Sequence, residues 1–229
     1  MTPTVVLFDI DGTLVTCGGA GRAAMERAFV DFVGDRRVAD FAFGGMTDRA
    51  IAREGLAKAG RTPTEADLDD FLERYLSYLA EELPRSIGYR VLDGVDYLLD
   101  GLEQRRAAGA PVAIGLGTGN LLRGARMKLE PGNLWHRFGF GGYGSDDEDR
   151  PRLLEAGARR GARSLGVHRD AVRVVIVGDT PRDVHAAHAI GAICIAVASG
   201  SYDLSTLAAC GPASACETLA DVTLDDVLG

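Results

Sequence analysis

The sequence predicts an α/β fold, a doubly wound parallel sheet with an all-helical unit inserted after its first strand. Three observations predict it. Short apolar runs that do not alternate recur at residues 5–10, 112–116, 172–177 and 193–197, as expected of strands covered on both faces. Helical stretches separate the last three of them, and strand–helix alternation of this kind gives a parallel sheet. Residues 18–83 break the rhythm, because they contain no buried-strand run and read as helices.

Taken in order, the first strand is the run Val5 to Ile10, whose apolar start Val5 to Phe8 leads into Asp9-Ile10-Asp11. The helical unit follows, with helices expected at residues 20–33, 48–59 and 65–82. In the last of these, Leu68, Phe71, Leu72, Tyr75 and Leu79 recur at three- and four-residue steps and form one apolar face. Residues 85–93 are the expected return linker. Helices at 95–108, 153–165 and 184–190 are stopped by Gly109, Gly166 and Gly191, and another is expected at 121–129. The glycine-rich stretch 138–145 reads as one more short strand. The expected division is a discontinuous core, residues 1–17 and 86–229, and a helical cap, residues 18–85.

In an open α/β sheet, ligands bind beyond the carboxyl ends of the strands. Three polar segments follow three strands: Asp9-Ile10-Asp11-Gly12-Thr13, Gly117-Thr118-Gly119-Asn120, and Gly178-Asp179-Thr180-Pro181-Arg182-Asp183. Asp11-Gly12 is not read as a hairpin turn, since Leu14-Val15 is too short a return strand. The glycines around Gly117 are not a dinucleotide loop, because Asn120 stands where that pattern needs glycine. Thr180, Pro181 and Asp183 read as the cap and first turn of a helix, which leaves Asp179 free for chemistry.

Asp9, Asp11, Asp179 and Asp183 would then share one small space. Two unit charges 4 Å apart repel by about 4 kcal/mol at an effective dielectric near 20, so the cluster needs a cation or raised pKa values. An all-oxygen site suits Mg²⁺. The Thr118 hydroxyl and the N–H groups of Gly119 and Asn120 at a helix start suit an anion. A metal, an anion cradle and spare carboxylates together describe phosphoryl transfer.

Composition narrows the partners. The 229 residues carry a formal charge of −8, and no basic face points to nucleic acid or to a membrane surface. No window approaches the about 18 apolar residues of a membrane span. Thr2 to Val15 is not read as a signal peptide, having two aspartates in its apolar stretch. The four cysteines form no CxxC pair and read as reduced thiols. A cytoplasmic monomer or homodimer that takes a small phosphorylated metabolite is the expectation.

In this order, the DxDGT motif, the strand-terminal threonine and the GDxxxD motif resemble the haloacid dehalogenase-like hydrolase superfamily over nearly the whole chain. The helical insert resembles the C1 cap of its phosphoglycolate phosphatase-like branch. The resemblance implies a Rossmann-like core and Mg²⁺ held by Asp9, the Asp11 carbonyl and Asp179, with Asp183 orienting its waters. It also implies that Asp9 forms an aspartyl-phosphate, that Asp11 is the acid/base, and that Thr118 binds phosphoryl oxygens. The second aspartate argues for phosphate-ester chemistry, since a halide leaving group needs no proton. The expected activity is that of a phosphatase acting on a phosphoglycolate-like ester. The alternatives are a mutase of the β-phosphoglucomutase type and a non-catalytic phosphometabolite-binding protein.

One element departs from the pattern. The superfamily usually carries a lysine before its fourth motif, and neither lysine here, Lys58 or Lys128, is expected to be well placed. Arg150 takes that role as the expected cation. In the cap loop, Thr47 and Arg49 are the candidate substrate-binding residues, with Arg22 a weaker one. The acidic run 146–149 reads as exposed loop.

Overall fold

The computed structural model describes residues 2–229. In chain order its strands and α-helices are β1 (Thr4–Phe8), β2 (Val15–Cys17), α1 (Ala20–Val33), α2 (Asp48–Lys58), α3 (Glu65–Glu82), β3 (Tyr89–Val91), α4 (Val95–Ala107), β4 (Val112–Thr118), α5 (Leu122–Leu129), β5 (Gly141–Tyr143), α6 (Arg150–Ser164), β6 (Arg173–Gly178), α7 (Pro181–Ala189), β7 (Ile193–Val197), α8 (Leu204–Ala209), β8 (Ser214–Cys216) and α9 (Leu224–Leu228).

Six strands form one sheet in the order β5-β4-β1-β6-β7-β8, and every pairing in it is parallel. Apolar side chains on both faces of β1 explain its central place. Val5 and Leu7 pack with Leu153, Leu154 and Val184 of α6 and α7. Val6 and Phe8 pack on the opposite face with Leu98, Leu99 and Leu102 of α4. Period-two alternation splits one continuous apolar run between two helical layers.

The first strand was expected to reach Ile10 and ends at Phe8. Ile10 turns the chain: its carbonyl accepts the N–H groups of Thr13, Leu14 and Val15, and Gly12 sits at φ +80°, a conformation glycine adopts without a Cβ clash. The expected linker 85–93 contains β3, which pairs antiparallel with β2 and aligns Val15 with Val91. This two-stranded ribbon joins the start and end of the helical insert, and Ser86 Oγ donates to Cys17 O at 2.7 Å across it. β2, β3 and β8 carry too little pattern to be read from sequence, and the same holds for the short α8 and α9, whereas the three-residue β5 falls inside the glycine-rich stretch read as a strand.

In the insert, α1 packs on α3 through Phe29 and Phe71, whose ring centroids are 4.5 Å apart. α3 starts in a capping box, Thr64 with Asp67. Its buried face of Leu68, Phe71, Leu72, Tyr75, Leu76 and Leu79 belongs to the same apolar cluster as Val6 and Phe8, and α3 packs against α5, so the core of the insert is continuous with that of the sheet.

Candidate active site

Phe8 stands opposite Leu116 on β4 and Val177 on β6. Asp9, residues 117–120 and Asp179 therefore leave the sheet at one edge. Carboxylate oxygens of Asp9, Asp179 and Asp183 lie within 4.8 Å of one another, and all three residues are buried. Glycines let the chain close around Asp179. A Cβ on Gly12 or Gly200 would come 2.3 or 1.8 Å from Asp179 Oδ2, and Thr13 Oγ1 donates to Oδ1 at 3.1 Å. Asp183 completes the α7 capping box, its Oδ2 accepting from Thr180 N at 3.0 Å and Thr180 Oγ1 at 2.7 Å.

Arg150, the first residue of α6, enters this group. Its Nη2 donates to Asp9 Oδ2 at 2.7 Å and also to Asp183 Oδ1, and its Nη1 donates to Gly45 O of the cap loop at 3.2 Å. Its Nε is buried without a partner.

One guanidinium faces three carboxylates. Burial raises the Asp9 carboxyl above its ordinary value, and Arg150 only partly offsets that. Burial, then Asp183 and Asp9, push Asp179 well above the usual carboxylate range. A cluster of carboxylate oxygens short of positive charge fits a hard divalent cation, which Asp9, Asp179 and Asp183 would hold or surround.

The Asp11 carboxylate stands apart from this cluster. Its Oδ2 accepts from Lys128 Nζ at 2.7 Å and from Asn120 Nδ2 at 2.8 Å. The expectation that neither lysine is well placed is corrected for Lys128. Though late in α5, it projects from a buried face of that helix, and its Nζ also reaches Asn120 Oδ1 at 2.6 Å. Helical side chains lean toward the N-terminus, which carries a residue two turns along back to the strand end. Burial alone would raise the Asp11 carboxyl, but Lys128 and Asn120 outweigh it and hold the group below its ordinary value. Lys58, by contrast, lies on the cap surface beside Glu54 and Phe41.

A cavity of about 740 Å³ opens between these residues and the insert. Asp9, Asp11, Gly119, Asn120, Lys128, Arg150 and Asp179 line the core side, and Met25, Phe43, Met46, Ile51 and Tyr75 line the other. Thr118 is fully buried at the end of β4, where its Oγ1 accepts from Asn120 Nδ2 at 2.9 Å. Gly119 has no room for a side chain, since a Cβ would lie 2.5 Å from Met46 O.

The cap-loop residues take other places. Thr47 caps α2, accepting from Ala50 N at 3.2 Å, and donates to Glu148 O at 3.3 Å. The structure does not bring Arg49 to the cavity. Its guanidinium pairs with Glu65 and Asp69 on the insert surface, because Arg49 follows the buried Asp48 on the helix and is turned about 100° away from it. Arg22 lines the cavity but is spent on Ala39 O, Phe41 O and Glu26. Sequence reasoning missed Asp48. Its N–H donates to Gly119 O at 2.9 Å and its Oδ2 accepts from Leu121 N at 2.8 Å, joining α2 to the strand-end loop. Burial pushes its carboxyl up to about 6. The acidic run is bonded as well as exposed, with Asp146 on Arg160 and Glu148 on Arg53.

Residues 152–222 match the HAD-hydrolase-like family. No curated protein matches the sequence. Solved structures share the fold at low identity. A hydrolase from Pseudomonas syringae is 21% identical with a TM-score of 0.68, over 95% of each chain. A predicted phosphoglycolate phosphatase from Haemophilus somnus is 18% identical with a TM-score of 0.68, over 96% of each chain. CbbY from Rhodobacter sphaeroides, in complex with phosphate, is 16% identical with a TM-score of 0.69, over 99% of each chain. The chain is thus similar to HAD-hydrolase-like proteins over residues 152–222, and it shares the fold of these solved structures along nearly its whole length.

Proposed function

We propose that the protein is a phosphatase of the C1-capped branch, dependent on Mg²⁺, that hydrolyses a small phosphomonoester through an aspartyl-phosphate at Asp9. The observation that carries this reading is the buried group formed by Asp9, Asp179, Asp183 and Arg150, of which Asp9, Asp179 and Arg150 line the cavity beneath the insert. Mg²⁺ bound there would withdraw charge from the phosphoryl oxygens and lower the repulsion met by an anionic nucleophile. Arg150 holds Asp9 on one side, fixing the carboxylate for in-line attack, and its unpartnered Nε–H is a donor left for an acceptor. Asp9 attacks phosphorus, and the ester oxygen leaves. Asp11 gives the leaving oxygen a proton, then takes one from the water that attacks the aspartyl-phosphate. The N–H groups of Gly119 and Asn120, in the strand-end loop before α5, bind the phosphoryl oxygens.

The test is phosphate release from a panel of esters, starting with 2-phosphoglycolate, with Mg²⁺ and after chelation, alongside a sugar-phosphate isomerisation assay. Release that needs Mg²⁺ and vanishes in Asp9→Asn is expected. Full activity in chelator would overturn the reading; isomerisation without release would replace it with a mutase.

A further inference from the structure

Lys128 is a buried charge that the chemistry at Asp9 does not use. Its side chain is 5% exposed, whereas that of its partner Asp11 is 45% exposed and lines the cavity. Holding an ammonium out of water costs several kcal/mol unless it is paired and hydrogen-bonded. The pairing here is directional. Asn120 turns its carbonyl oxygen to the ammonium at 2.6 Å and its amide nitrogen to the Asp11 carboxylate at 2.8 Å, the one orientation in which both contacts attract. The same amide nitrogen bonds Thr118 Oγ1 at 2.9 Å. Lys128 and Asn120 thus grip a single oxygen, Oδ2, of Asp11. The two buried cations lining the cavity are divided: Arg150 serves Asp9 and Asp183, and Lys128 serves Asp11.

We propose that Lys128 is a positioning residue for Asp11, holding its carboxylate at the cavity wall for the step in which water hydrolyses the aspartyl-phosphate. This rests on the phosphatase reading. In that step a bond forms between the water oxygen and phosphorus. The bond from phosphorus to Asp9 breaks with its electron pair returning to the Asp9 carboxylate, and the water's proton passes to Asp11. A carboxylate free to rotate would spend little time in line with that water, and loss of such alignment costs orders of magnitude in rate. The cap contributes: a Cβ on Gly21 of α1 would come 3.3 Å from Lys128 Nζ, so the insert packs closely against the ammonium.

The experiment uses 4-nitrophenyl phosphate with saturating Mg²⁺. Nitrophenolate leaves without a proton, so formation of the aspartyl-phosphate does not depend on Asp11. Turnover and the share of chain carrying phosphate after an acid quench are measured together. Lys128→Met is expected to slow turnover about 10²-fold, the lower end of general acid–base effects, while the phosphorylated share rises. Asp11→Asn should behave alike, the double variant should lose no more than either, and Lys128→Arg should recover part of the rate. A lysine needed only for folding, or for charge at the phosphoryl group, would lower turnover and the phosphorylated share together. That result, or wild-type turnover in Lys128→Met, overturns the proposal. If Lys128→Met does not fold, Gly21→Ala, which crowds the ammonium without removing it, is read the same way. A wild-type protein that releases no nitrophenolate defeats the phosphatase reading itself, a distinct outcome.

Discussion

Arg150 Nη2 lies 2.7 Å from Asp9 Oδ2, and each side chain is less than a tenth exposed. A buried ion pair of this kind is strongly destabilising to break, by about 3–5 kcal/mol when one partner is removed. Here a carboxylate left alone would also face Asp179 and Asp183. The pair therefore bears on both stability and rate, and the two must be measured separately.

For rate, Arg150→Ala should cost about 2.7–4 kcal/mol in the barrier, the scale of one lost transition-state donor. Arg150→Lys should recover part, because charge survives while the fork that spans Asp9 and Asp183 does not. Arg152→Ala should do little, since Arg152 is exposed and pairs only loosely with Asp147 and Asp149. Single-turnover dephosphorylation of the folded variants at saturating Mg²⁺ decides. An Arg150→Ala rate within about threefold of the parent, against the 10²–10³ expected, would reduce Arg150 to a structural ion pair.

Metal should stabilise the fold as well as support activity. Burial and neighbouring charge hold Asp179 far above its ordinary range, so a cation that relieves the repulsion binds the folded chain in preference to the unfolded one. Mg²⁺ at about 100 times its Kd should add roughly 2.7 kcal/mol, read as a rise in unfolding temperature. Asp179→Asn should lose most of that increment. Equal increments in the two proteins would move the metal elsewhere.

The sheet, its strand-end motifs and the three insert helices were legible in the sequence because each rests on a long periodic signal or on residue types with one chemical use. Asp9, Asp179 and Asp183 meet as the strand order requires, and Arg150 was legible because it stands where the resembling superfamily carries a lysine. Lys128 was misjudged because its reach depends on which face of α5 is buried. A signal was present, since it is one of two lysines among 25 basic residues. The β2–β3 ribbon is too short for pattern reading. Asp48 and Arg49 are adjacent and both polar, and only the packing of α2 turns one inward and leaves the other on the surface.

Asp48 gives a pH test of that inward turn. Its carboxyl is buried against the start of α5, accepts from Leu121 N at 2.8 Å, and is faced by Lys128, Tyr75 and Asp11. Burial, only partly offset by Lys128, raises it from 3.8 to about 6. A carboxyl raised in the folded state favours folding fully below the unfolded value, and that contribution is lost as pH climbs through the folded one. The rise corresponds to roughly 3 kcal/mol at 1.36 kcal/mol per pH unit, of which roughly 2 falls between pH 4 and pH 8. Asp48→Asn keeps an oxygen to accept from Leu121 N and cannot ionise. Its stability relative to wild type should therefore improve by roughly 2 kcal/mol from pH 4 to pH 8, measured by urea unfolding without metal. Other groups titrate in both proteins and cancel in the difference. A difference flat across that range would mean that Asp48 ionises in the folded chain as readily as in water. The bond from α2 to the strand-end loop would then lie open to solvent rather than sealed beneath the cap.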